Sequence, residues 1–144
     1  MYVTVGDIVN LIEKIAPSRL AEKWDNSGLQ IGKLDWPVKR VLISLDPTPD
    51  VIEAACNSKT DLLITHHPMI FNPLKSIDFS SSIGALIYKA AINNLAIFSA
   101  HTNLDSAADG INDILVLSIG LKNLKTLSTT GQTDKCKFVV YVPA

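Results

Sequence analysis

The chain lacks a charge of dominant sign: 13 Lys and Arg stand against 14 Asp and Glu, for a net charge of −1 and a pI near 6.3. Without a basic surplus, binding through neutralised phosphates is disfavoured, which argues against DNA or RNA as partner. Cysteine is scarce. Cys56 and Cys136 form no C-x-x-C pair and are too few to staple a domain, so both read as reduced thiols. Cys56 falls on a predicted helix and neither cysteine neighbours a histidine in sequence, which argues against a nucleophilic thiol. No apolar run approaches the roughly 20 residues of a membrane-spanning helix, and Met1 opens no basic-then-apolar leader. The expectation is a cytoplasmic protein that does not enter the membrane. Internal repeats and a glycine-rich phosphate loop are also missing.

What is present suffices for a packed domain: 144 residues, 47% apolar and 19% charged. Thr4 to Ala16 places Val5, Ile8, Val9, Leu11, Ile12 and Ile15 at helical spacing, with Thr4 as N-cap and Pro17 as the stop. Leu20 to Pro37 reads as loop with room for short strands, turning sharply at Asp25-Asn26-Ser27-Gly28. Val38 to Leu45 is a β-branched run, Thr48-Pro49-Asp50 starts a helix that reaches Ser58, and Asp61 to Thr65 is a second strand. That βαβ unit implies a parallel pair, and both strands read as buried. A loop from His66 to about Ser80, a helix over Ser82 to Asn93 and a buried strand over Leu95 to Ala100 continue the alternation. Asp109 to Ile119 carries Ile111, Ile114, Leu115 and Leu117 on a helical pattern, ended by Gly120 in a left-handed cap. Leu121 to Gln132 reads as linker and Lys135 to Val142 as a strand. The expected fold is α/β: a mainly parallel, mixed sheet with helices on both faces, in three layers. Two segments are expected, an α/β domain over 1–134 and the start of a further one over 135–144.

All three histidines, His66, His67 and His101, fall at the carboxyl ends of predicted parallel strands, the edge where open α/β sheets build their sites. Asp46 arrives at the same edge, and Asp105 follows His101 by four residues. Adjacent residues leaving a strand point to opposite sides, so His66 and His67 are each expected to serve one of two neighbouring cations, with Asp105 as the bridging carboxylate. A blander reading stands beside this one: histidines at strand ends often only bond a backbone carbonyl, and an acid before Pro47 commonly caps a turn. The Trp24-Asp25-Asn26-Ser27-Gly28 turn either positions a substrate over the crevice or is held with Trp24 and Trp36 as anchors that pack a long loop onto the core. Asp109, Gly110, Asn112 and Asp113 either support the site through hydrogen bonds or, as an acid before a helix, cap it.

Four blocks carry a resemblance: Glu22 to Gly32 (EKWDNSGLQIG), Ser44 to Thr48 (SLDPT), Leu62 to Phe71 (LLITHHPMIF) and Ser99 to Asp113 (SAHTNLDSAADGIND). In this order they resemble the dinuclear-metal-centre family related to the yeast NGG-interacting factor three, often labelled GTP cyclohydrolase I type 2 homologue. The resemblance implies two similar α/β halves, two divalent metal ions in the cleft between them, and a ring-shaped homohexamer. By position, His66, His67 and Asp105 match the family's metal ligands, and His101 lies beside the metals. The family's remaining histidine and glutamate ligands belong to a carboxyl-terminal half, and this sequence has no fourth histidine. Lys137 to Ala144 (KFVVYVPA) resembles the first strand of a domain inserted in some members, so the chain reads as truncated there.

Three readings of function follow. The first is a metal-dependent hydrolase acting by activated water on a nucleotide or similar small molecule, with His101 as the catalytic proton carrier. The second is a metal-binding scaffold or interaction protein that turns nothing over. The third is a fragment without activity.

Overall fold

The computed structural model describes residues 2–122 and, beyond them, two short strands. A four-stranded sheet in the order β1-β4-β3-β2 forms its centre. Its strands are β1 (Gly28–Ile31), β2 (Val41–Ser44), β3 (Leu62–Thr65) and β4 (Ala96–Ser99). β2, β3 and β4 are parallel, whereas β1 runs antiparallel against β4 with a bulge between Leu29 and Ile31. β1 lies in the stretch expected to be loop with room for short strands. At its end Gly32 takes φ +103 and passes so close to Ala96 that a Cβ would sit 2.8 Å from the alanine methyl.

Five helices flank the sheet: α1 (Val5–Ile15), α2 (Pro49–Asn57), α3 (Ser82–Ile92), α4 (Thr102–Ser106) and α5 (Ile111–Ser118), with a 3-10 turn at Ser18–Leu20. Side-chain alternation divides the core into two layers. Leu62, Ala96 and Phe98 point to one face, where Val5, Ile8, Val9 and Ile12 of α1 and Leu104 of α4 cover them. Leu63 and Ile97 point to the other, against Ile52 and Ala55 of α2 and Ala90 and Leu86 of α3. The three-layer α/β fold is therefore as expected, helices lying on both faces.

Three details differ. β2 is an edge strand rather than a buried one: Leu42 packs into the α2/α3 layer, but Val41 and Ile43 lie on the opposite face beyond the reach of α1 and stay exposed. Leu11 and Ile15 of α1 point to solvent, since Val5, Ile8, Val9 and Ile12 already fill its inner stripe. In α5 the buried residue is Val116, while Ile114, Leu115 and Leu117 are exposed.

The segment read as linker contains β5 (Ser128–Thr129), which pairs antiparallel with β6 (Cys136–Lys137) inside the predicted last strand. The boundary expected at 134/135 and residues 138–144 lie outside the described residues.

The helix ends follow local rules. Thr4 and Asp7 form a reciprocal capping box on α1, and Thr48 and Ser81 cap α2 and α3 through their hydroxyls. α5 closes as expected at Gly120 (φ +74), whose N–H bonds Leu117 while that of Leu121 bonds Val116. α2 and α3 close in the same way through Lys59 and Asn94, both at positive φ, and the chain turns directly into β3 and β4.

Candidate metal centre

The carboxyl edge of the parallel strands collects the candidate residues as anticipated. The β3–β2 ladder carries His66 and His67 beyond Thr65: their N–H groups bond the carbonyls of Ser44 and Leu45. In a regular strand successive N–H groups alternate sides. Here both face β2, so the pleat has been lost and the two side chains do not diverge as strand alternation predicted. Their ring centroids are 4.9 Å apart, and the His101 ring lies 5.1 Å from that of His66 and 5.6 Å from that of His67. One potential ligand atom from each histidine falls within 4.8 Å of the others.

Each ring is held by its Nδ1. His66 Nδ1 lies 3.0 Å from the Ala100 carbonyl, His67 Nδ1 2.6 Å from Asp46 Oδ1, and His101 Nδ1 2.8 Å from Asp25 Oδ1. A carbonyl and a carboxylate only accept hydrogen bonds, so Nδ1 carries the proton in each neutral ring and Nε2 keeps a free lone pair. The carbonyl contact expected of a merely structural histidine is thus present at His66, and it leaves the other nitrogen open. Asp46 reaches past its turn to hold His67, while its carbonyl accepts from the Ser44 hydroxyl within the turn.

Asp105 enters from α4, one turn beyond His101, whose carbonyl accepts its N–H. Its Oδ1 stands 3.6 Å from His66 Nε2, so in the neutral ring a carboxylate oxygen faces a nitrogen lone pair. Such a pair of acceptors is repulsive unless a proton or a metal cation joins it, and three imidazoles with a carboxylate suit a divalent transition metal. These side chains therefore fit the metal that the sequence resemblance implies. From behind, Asn112 Nδ2 bonds the Asp105 carbonyl at 2.9 Å, the supporting role left open for it. Asp109 is not a helix cap. Gly110 occupies the N-cap position of α5, and Asp113 accepts the Asp109 N–H.

Sequence reasoning placed Asp25 in a turn near the crevice and gave it no partner among the histidines. Its side chain is fully buried beneath His101 and accepts from Ser27 Oγ, Thr102 N–H, Thr102 Oγ and Asn26 N–H as well. Burial opposes its charge, but the bonds from Ser27, Thr102 and His101 outweigh that and hold the carboxyl far below the usual carboxylate range. The available signal was the position of the acid inside the EKWDNSGLQIG block. What was missing was β1: an antiparallel strand begins at the edge where its parallel neighbours end, which brings the preceding turn to His101.

The same segment is pinned to the HHP loop. Gln30 Oε1 accepts from Ile70 N–H at 3.1 Å, Gln30 Nε2 donates to the Asn26 carbonyl, and Asn26 Nδ2 donates to the Ile70 carbonyl. Of the two tryptophans, Trp36 packs on the core, while Trp24 is exposed with its ring 6.3 Å from His101 and 6.0 Å from Phe71.

The chain is similar to known proteins over most of its length. The profile of the family described as Duf34/NIF3 (NGG1p interacting factor 3) matches residues 3–143. A protein of Halalkalibacterium halodurans named GTP cyclohydrolase 1 type 2 homolog is 40% identical over 136 residues, 94% of this chain and 37% of its own length. The Bacillus subtilis protein of the same name is also 40% identical, over 94% of this chain and 36% of its own length. The crystal structure of a Bacillus cereus protein related to NIF3 superposes with a TM-score of 0.84 at 42% identity, covering 91% of this chain and 36% of that one. The chain thus spans little more than a third of the length of these relatives. Among the described residues no helix is long and apolar enough to cross a membrane. On its sequence and on its fold, the chain belongs to the Duf34/NIF3 family.

Proposed function

We propose that this chain supplies one side of a dinuclear divalent-metal centre in a hydrolase that acts on a nucleotide or similar small molecule. The observation that carries this reading is the Nε2 lone pair of His66 turned onto the Asp105 carboxylate at 3.6 Å, beside His67 and His101. His66, His67 and Asp105 would hold the metal. A divalent cation supplies Lewis acidity and lowers the pKa of water bound to it. His101, held from behind by Asp25, offers its Nε2 to the same space and is the group placed to take and return a proton. Trp24 and Phe71 add an exposed aromatic wall beside His101, a surface on which a flat heteroaromatic ring stacks. The name shared by the curated relatives favours the same substrate class. The reading further takes the protein as a cytoplasmic homo-oligomer, a hexamer in keeping with the sequence resemblance.

Elemental analysis of protein purified without chelator tests the centre. Wild type is expected to carry close to two equivalents of metal, and the His66→Ala, His67→Ala double variant essentially none. Metal lost without loss of turnover on GTP would sink the reading, and no metal in either protein favours a fragment that lacks the ligands of the other half. Metal binding without turnover favours the scaffold alternative instead.

A further inference from the structure

The Asp25–His101 contact joins two segments 76 residues apart, and it is built rather than incidental. Five donors converge on one carboxylate whose side chain has no exposure. Oδ1 receives His101 Nδ1–H and Asn26 N–H, while Oδ2 receives Thr102 N–H and the hydroxyls of Thr102 and Ser27. The Thr102 hydroxyl is itself oriented, because it accepts the Glu22 N–H at 2.9 Å and so must give its own proton to Asp25. Every acceptor direction on the carboxylate is thereby used, and the imidazole of His101 meets a group that can only accept.

We propose that Asp25 is a positioning residue that holds His101 in the Nδ1–H tautomer, with a bare Nε2 turned into the His66/His67 cluster. The inference rests on the metal-centre reading for its purpose, because ligand and proton acceptor alike require a free Nε2. The tautomer itself does not depend on that reading and is measurable without metal.

Hydrogen-bond accounting predicts the response to Asp25→Asn. On the Oδ2 side an amide NH2 would displace the acceptor of three donors, the Thr102 N–H and the hydroxyls of Ser27 and Thr102, the last already accepting from Glu22. On the Oδ1 side it would meet only the Asn26 N–H and an imidazole nitrogen that can become an acceptor by exchanging tautomers. The amide therefore turns its NH2 toward His101, and the ring proton moves to Nε2.

Two-bond 1H–15N spectra of the His101 ring, recorded on metal-free protein, read this directly. The bare-nitrogen resonance is expected on Nε2 in wild type and on Nδ1 in Asp25→Asn. Thr102→Val loosens the same turn without touching the His101 contact, and is expected to keep the wild-type pattern. Wild type with its proton on Nε2 would overturn the proposal even if Asp25→Asn failed to fold. An Asp25→Asn spectrum that keeps the wild-type tautomer, or a Thr102→Val spectrum that loses it, would show a loop lock and nothing more. Metal retained by Asp25→Asn with the tautomer unchanged would leave the metal centre standing and remove only Asp25 from it.

Discussion

At the scale of single residues, function depends on which nitrogen of a ring is tied. His66, His67 and His101 each spend Nδ1 on an acceptor, and the chain provides three different ones: a carbonyl, Asp46 and Asp25. The histidines were legible because they are a scarce residue type at strand ends, and Asp105 because it follows His101 by four residues. Asp25 was not, since an acid in a D-N-S-G turn has an adequate local explanation and its long-range partner is invisible in sequence. Stability has a residue-scale signature too. Lys59 closes α2 at φ 54, a conformation that costs an ordinary side chain about 1–2 kcal/mol. Lys59→Gly is expected to stabilise the fold by up to about 1 kcal/mol, after the extra entropy that glycine loses on folding. Asn94→Gly at the equivalent turn should gain less, because asparagine tolerates that region. Paired urea titrations compare the two.

At the scale of elements, the starts and stops obey rules that act within a few residues. The box on α1 is an example: Asp7 accepts the Thr4 N–H and hydroxyl, both at 2.8 Å, and Thr4 accepts the Asp7 N–H. The backbone bond from Thr4, followed by its hydroxyl bond, holds the Asp7 carboxyl below its ordinary value. A group depressed in the folded state contributes stability that is complete above the unfolded pKa, about 3.9, and disappears as pH falls through the folded one. Asp7→Asn should therefore lose less stability than wild type between about pH 4 and pH 2, as followed by thermal melts across that range. Identical acid limbs in the two proteins would show that the box contributes nothing to acid sensitivity. The element that sequence allowed but did not place, β1, is four residues long and mixes Gly28 and Gln30 with two apolar residues. It carries too little periodicity to stand apart from the turn signals around it, and only its pairing with β4 makes it a strand.

At the scale of the whole molecule, topology puts the histidines, Asp46 and Asp105 at one edge and leaves another part of the sheet uncovered. β2 closes the sheet with Val41 and Ile43 on the face that α1 does not reach, Ile43 at 75% exposure, and Leu45 continues the apolar strip. An open strand edge with apolar side chains is a template for pairing. The chain is expected to self-associate with rising concentration, and Ile43→Lys to shift the weight-average mass in sedimentation equilibrium toward the monomer. Equal masses for the two proteins would place the contact elsewhere.

The sequence by itself determined the α/β alternation, the parallel β2-β3-β4 core, the helix caps at Thr4, Thr48 and Gly120, and the gathering of His66, His67, His101 and Asp105 at one edge. All of these follow from short-range periodicity, capping chemistry and the handedness of βαβ connections. The tertiary structure alone decided that β1 is a strand and antiparallel, that β2 lies at an edge, which residues of α1 and α5 face inward, and that Asp25 lies under His101. Each of these depends on contacts between segments distant in the chain, where the free energy comes from packing and buried hydrogen bonds that no local pattern records.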